Sequence, residues 1–189
     1  GIKMLLNARQ ILQLIDDGII EFADKSCVNS ASLDIHLGPK ILMEISSLHH
    51  KPVSLQKRES LNMTEVYIPP NGFIILKPYQ FILAHSREVF HLPNNISAEY
   101  KLKSSMARIG LDHLNAGWCD AGWHGSVLTL ELKNMTNYHP IVLNKDDKIG
   151  QIIFFQHEPV SQENSYATKG SYNNDKSVSG AKPVSNFNK

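Results

Sequence analysis

Between Lys103 and Asn134 the chain reads KSSMARIGLDHLNAGWCDAGWHGSVLTLELKN, which sets Ser104, Ser105, Arg108, Asp120 and Glu131 among glycines, tryptophans and strand-forming apolar residues. Polar groups kept this close between apolar flanks are either hydrogen-bonded architecture or a site, and several chemistries in one place favour a site. The paired hydroxyls of Ser104 and Ser105, following a strand, can meet phosphate oxygens beside exposed backbone amides, and Arg108 can add a two-pronged cationic contact. Capping of a helix by either serine explains the pair equally well. In Leu128-Thr129-Leu130-Glu131-Leu132 the alternation puts Thr129 and Glu131 on one face and the leucines on the other. Glu131 is then either a solvated surface carboxylate or, in a closed and partly apolar pocket, a proton shuttle. Asp120 lies in a tight turn, where it satisfies its own backbone, holds a sugar hydroxyl or activates water. Asn115-Ala116-Gly117 can offer backbone groups to the edge of a base, and Trp118 and Trp123 either stack on a base or fill the core.

Metal chemistry finds little support. The His-x-Glu and Pro-Cys-x-x-Cys pattern of zinc-dependent base deaminases does not occur, and His49-His50, His113, His124, His139 and His157 have no ligand-like spacing. Phosphate-binding glycine loops and the G-x-S-x-G elbow are also missing from the sequence.

These residues must be positioned by short elements. Leu5, Ile11, Leu12, Leu14 and Ile15 form a helical stripe ending at Asp16-Asp17-Gly18, with Asn7 available as cap. The alternation from Ser32 to Gly38 marks a strand exposed on one side. Further β-type runs cover Ile41 to Ile45, Glu65 to Ile68, Phe73 to Leu76, Phe81 to Ser86, Ser97 to Leu102, Ser126 to Leu132, Ile141 to Leu143 and Ile149 to Phe155, with no return to helix before His157. Pro69-Pro70-Asn71-Gly72, Pro93-Asn94-Asn95 and Asn144 to Asp147 separate them as turns. Many short strands with scant helix predict a mainly β fold, a distorted barrel or double-sheet roll with one short N-terminal helix. Ser46 to Thr64 is a polar excursion that could hold a hairpin.

With 189 residues the chain supports one sizeable core, taken as residues 1–160. Residues 161–189 are rich in Ser, Asn, Gly and Lys: either a disordered terminus or a flexible flap over a ligand, with Lys169, Lys176, Lys182 and Lys189 reaching toward phosphate. A net charge of +1 and a charged fraction of 20% argue against nucleic-acid or anionic-membrane partners. Cys27 and Cys119 lack C-x-x-C spacing, and Arg9, Gln10, Asp16 and Asp17 interrupt any leader, so a reducing cytoplasmic setting is expected.

The same residues carry a family likeness. The chain resembles the dCTP deaminases, trimeric β-fold relatives of the trimeric dUTPases. Lys103 to Leu111 is similar to their G-[RK]-S-S-x-x-R-x-G region, Ala116 to Gly125 to A-G-x-x-D-x-G-[FW]-x-G, and Thr129 to Asn134 to T-L-E-L-x-N. Ala31 to Gly38 is similar to S-x-D-x-R-L-G, Ile149 to Ile152 to the G-x-x-I-G-Q strand, and Tyr172 to the tyrosine of a K-Y-Q-G-Q flap.

The resemblance implies a dUTPase-like homotrimer with active sites between subunits and a deoxycytidine nucleotide that carries Mg²⁺ on its phosphates, with no zinc. It implies that Glu131 is general acid and base for water attacking cytosine C4, with Arg108 and Ser104 lining the catalytic pocket. Lys103 and Ser105 would meet phosphates, Asn115 and Ala116 would lie near the reacting centre, and Asp120 would hold the sugar 3′-hydroxyl. Tyr166, Tyr172, Lys176 and Lys182 would close over the nucleotide. The leading activity is deamination of dCTP to dUTP and ammonia. The alternative is a bifunctional enzyme, or a dUTPase, giving dUMP, and a non-catalytic regulator ranks behind both.

Four departures stand out. Leu102 replaces a glycine, His36 replaces an arginine, and Asn173-Asn174-Asp175 replaces Gln-Gly-Gln in the flap. The fourth is one extra residue between Gly125 and Glu131, which would reverse the facing of Glu131 unless a bulge near Ser126-Val127 absorbs it.

Overall fold

The computed structural model describes residues 4–46 and 50–183. In chain order these form α1 (Ala8–Asp16), β1 (Ile20–Glu21), a 3₁₀ turn (Lys25–Cys27), β2 (Leu33–His36), β3 (Lys40–Glu44), β4 (Met63–Tyr67), β5 (Phe73–Leu76), β6 (Phe81–His91) and β7 (Ile96–Leu102). There follow α2 (Ser104–Ala107), β8 (Leu111–His113), β9 (Trp118–Cys119), β10 (His124–Asn134), β11 (Ile141–Asn144), β12 (Lys148–Gln156) and α3 (Tyr166–Lys169). His49 and Lys189 lie outside the described residues.

Asn7 starts α1 through a reciprocal capping box with Gln10, and Gly18, at φ +76°, lets the chain turn away after its last turn. Ile11 and Leu14 are the buried stripe. One sheet runs β4-β3-β6-β10-β8 with β1 also on β6, a second runs β2-β12-β7-β9, and β5 pairs with β11. The strand pairings among the described residues are all antiparallel, and Phe90, Leu130, Leu132, Ile35 and Phe154 are sealed in the core between the sheets. The mainly β roll with a short N-terminal helix is therefore the architecture found. Among the described residues no helix is long and apolar enough to cross a membrane.

Three expectations change. Leu33–His36 is buried on both faces, because its polar members point at partners and not at solvent. Asp34 accepts from Lys103 Nζ (2.7 Å) and Asn29 Nδ2 (2.9 Å), and the backbone N–H of His36 donates to the fully buried Glu88 (2.8 Å). Alternating polarity here recorded a buried polar network. One helical turn, α2, interrupts the strands. Strand β6 continues past Ser86 to His91 by spanning an irregularity, where the Ser86 hydroxyl accepts from Leu128 N–H and donates to the Glu88 carbonyl.

Candidate active site

Strand β10 positions Glu131. Its pairing with β6 slips between His124 and Ser126, where Gly125 is the extra residue at φ +69°. A glycine in the left-handed region is what such a bulge requires. Beyond it the strand resumes alternation: Leu128, Leu130 and Leu132 are buried while Thr129 and Glu131 face the other way. The extra residue is thus absorbed without reversing Glu131.

Glu131 opens into a cavity of about 360 Å³. Thr129 and Val127 of β10 form its floor, Phe81 and Leu83 of β6 one side, and Ala116, Trp118 and Asp120 another. The tail supplies the roof through Tyr166, Tyr172 and Asp175, meeting Glu59 and Ser60 of the polar excursion. Of the residues singled out from sequence, the cavity brings together Glu131, Asp120, Ala116, Trp118, Trp123, Tyr166 and Tyr172. Asn115 sits beside Ala116 at φ +58°, and Gly117 packs where a Cβ would collide with the Tyr100 carbonyl.

The remaining group lies elsewhere on the chain. Ser104 and Ser105 are exposed, and Lys103, not a serine, occupies the N-cap of α2 without a side-chain cap bond, so capping does not account for the two hydroxyls. Arg108 borders a separate recess with Thr136, His139 and Val142. Lys103 is paired with Asp34, Lys182 with Asp175 at 2.9 Å, and Lys176 is exposed. Within one chain, therefore, Lys103, Ser104, Ser105 and Arg108 do not line the cavity that holds Glu131.

Behind Glu131, outside the residues that line the cavity, stands a group whose part the sequence did not reveal. His113 Nε2 stands 3.2 Å from Glu131 Oε2, with 4% and 27% of the respective side chains exposed. The two atoms are close without hydrogen-bond alignment, and neither has another partner. Tyr100 sets the ring edge-on, 4.5 Å between centroids. Burial and then the Glu131 charge push the Tyr100 hydroxyl up, and burial with Asp120, Glu131 and Glu99 pushes the Cys119 thiol up to about 12. Both stay protonated at neutral pH, so neither serves as a base in the cavity. Asp120 Oδ1 accepts from the indole N–H of the exposed Trp118 (2.7 Å), while Trp123 is buried, stacked on Phe90.

The tail is tied down along β10. Trp123 Nε1 (3.0 Å) and Ser126 Oγ (2.6 Å) both donate to the Tyr172 carbonyl. Asn174 N–H donates to the His124 carbonyl (3.0 Å), and Val127 N–H donates to the Asp175 carbonyl (2.8 Å).

The roll is shared with a solved structure, the 2′-deoxycytidine 5′-triphosphate deaminase of Agrobacterium tumefaciens, at a TM-score of 0.66 and 23% identity, covering 82% of this chain and 50% of that one. Residues 5–157 match the family described as dCTP deaminase-like, and the chain belongs to that family. It is 38% identical over 184 residues to a "dCTP deaminase, dUMP-forming" of Nanoarchaeum equitans, covering 88% of this chain and 90% of that protein. A protein of the same description from Methanosphaerula palustris is 35% identical over 162 residues, 84% of each chain.

Proposed function

We propose that this chain converts dCTP to dUMP, ammonia and diphosphate in two hydrolyses, in place of stopping at dUTP. The observation that carries the reading is that Glu131 and Asp120 open into one cavity. Membership of the dCTP deaminase-like family supports the first hydrolysis, and relatives described as dUMP-forming support the second.

In the first step Glu131 takes a proton from water as the oxygen bonds to cytosine C4, delivers a proton to N3, and then helps the amino group leave as ammonia. His113, at 3.2 Å, packs against the back of the carboxylate and limits where it can turn. The backbone groups of Ala116, on the cavity wall, would read a pyrimidine edge. In the second step Asp120, which holds the sugar 3′-hydroxyl, takes the proton of the water that attacks the α-phosphorus, and the bond to the departing diphosphate breaks. Mg²⁺ travelling on the phosphates supplies charge neutralisation there.

The cavity wall carries four carboxylates, Glu59, Asp120, Glu131 and Asp175, and no lysine or arginine among its described lining. A polyanion needs cations there, and Lys103, Ser104, Ser105 and Arg108 form a basic, hydroxyl-rich face away from the cavity. A homotrimer in which that face of one subunit meets the cavity of the next supplies them. The tail from residue 161 onward then acts as the flap that closes the site.

The test is incubation of the chain with Mg²⁺ and either dCTP or dUTP, with anion-exchange separation of products and ammonia measured in parallel. dUMP and diphosphate are expected from both, with ammonia from dCTP alone. Accumulation of dUTP without dUMP would remove the second hydrolysis. Ammonia release by Glu131→Gln at the parent's rate would remove the proposed base, and Asp120→Asn is expected to abolish diphosphate release.

A further inference from the structure

The roof of the cavity contains an ion pair that occupies the cation a phosphate would want. Lys182 Nζ lies 2.9 Å from Asp175 Oδ1, donates to the Ser171 carbonyl (2.9 Å), and sits 5.0 Å from the centre of the Tyr172 ring. Its backbone N–H donates to the Tyr172 hydroxyl (3.3 Å). Two of the three ammonium contacts do not involve Asp175, and the backbone is held by Tyr172 as well, so the ammonium keeps its position if the carboxylate rotates away. Asp175 is fixed by its backbone, its N–H donating to Ser126 Oγ (2.9 Å) and its carbonyl accepting from Val127. Among the described residues its outer oxygen accepts from the Ser179 hydroxyl alone, at 3.3 Å. Asp175 and Tyr172 both line the cavity, so this ammonium is bonded to the wall that otherwise presents carboxylates.

We propose that Asp175 is a specificity-determining residue: its carboxylate is an internal stand-in for a substrate phosphate, and a polyphosphate enters by displacing it from Lys182. The inference rests on the nucleotide reading of the cavity and adds to it a tuning of phosphate affinity by the tail. A partly exposed ion pair exchanged for another, with one repelling charge left in the wall, weakens phosphate binding by about fivefold. The device discriminates by charge, so a ligand without phosphates escapes it.

The experiment is calorimetric titration of the full chain at fixed ionic strength with dCTP, inorganic tripolyphosphate and deoxycytidine. Asp175→Asn, of nearly the same shape, should bind dCTP and tripolyphosphate about fivefold more tightly, with deoxycytidine unchanged. Lys182→Gln should bind both anions more weakly, and the double variant should match Lys182→Gln alone, because the carboxylate acts through the ammonium. Unchanged or weaker anion binding by Asp175→Asn overturns the proposal. So does an equal gain for deoxycytidine, a gain that persists in the double variant, or a parent that binds no tripolyphosphate. Ammonia release by the parent is read separately: its absence defeats the deaminase reading while the tripolyphosphate titration still decides this one.

Discussion

Replacing Ser97 by alanine should unsettle the turn that presents Asp120, and the size of the effect follows from the bonds it removes. His157 Nδ1 faces the Glu158 carbonyl at 2.7 Å and so carries the proton, which leaves Nε2 to accept from the Ser97 hydroxyl at 2.8 Å. The same hydroxyl oxygen accepts from Ala121 N–H at 3.2 Å. Ser97 and Ala121 are 5% and 4% exposed, so water cannot replace the lost acceptor without opening the turn. Leaving one buried amide unsatisfied costs about 1–3 kcal/mol, whereas His157, only half-buried, recovers its bond from solvent. At about 2–4 °C per kcal/mol for a chain of this size, the midpoint should fall by roughly 2–12 °C, centred near 6 °C. The assay is thermal unfolding by circular dichroism at one fixed protein concentration, since assembly shifts the midpoint by mass action. His157→Phe should cost less, because Ser97 can still accept from Ala121. Since Ala121 adjoins Asp120, diphosphate release by Ser97→Ala should fall further than ammonia release. A Ser97→Ala midpoint within about 1 °C of the parent, below the smallest loss one orphaned amide allows, would refute the reasoning.

Two further outcomes rest on buried geometry. His85 donates from Nδ1 to the Ser86 carbonyl (2.8 Å) while Nε2 accepts from Lys40 N–H (3.3 Å), and burial, with Lys40 nearby, holds its pKa below the ordinary 6.5. The unfolded chain therefore binds this proton first: the stability is present above pH 6.5 and is lost as pH falls from there through the folded-state value. Denaturant titrations should show a slope of up to about 1.4 kcal/mol per pH unit from this group, absent in His85→Gln, and equal slopes in the two proteins would count against it. Gly125→Ala puts a Cβ at φ +69° and against the Asn174 side chain. It should lose about 1–2 kcal/mol and speed tryptic cleavage after Lys169 and Lys176, and an unchanged cleavage rate would show that the tail does not depend on the bulge.

What the sequence made legible was local. Asn7 with Gln10 announced the helix start, alternation located the strands, and a count of residues before Glu131 called for a bulge that the structure places at Gly125. What it hid was set by register and by contacts between distant segments. His113 reaches Glu131 because Leu132 pairs with His113 across β8 and β10, a register no spacing in the sequence prints. The masking of Lys103 by Asp34 joins residues 69 positions apart, and the burial of Leu33–His36 follows from that network, so alternation there marks buried polar partners and not a wet face. Glu59 and Ser60 entered the cavity wall from a polar excursion that gave no signal at all.

The bulge and the altered tail, read as separate departures in the sequence, are one structural unit. Strand β8 pairs only with Leu132–Asn134, so the same edge of β10 further back, at His124 to Val127, has no strand beside it among the described residues, and an open edge must find partners for its amides and carbonyls. The tail provides them: Asn174 N–H takes the His124 carbonyl, Val127 N–H takes the Asp175 carbonyl, and Ser126 Oγ bonds both Tyr172 and Asp175. The inserted residue can only be glycine-like, since any Cβ at position 125 meets Asn174. Asn174 itself sits at φ +61°, a conformation asparagine tolerates better than most residues. Insertion and replacement therefore compensate each other, and the same contacts that dock the tail bring Asp175 to Lys182 at the cavity roof.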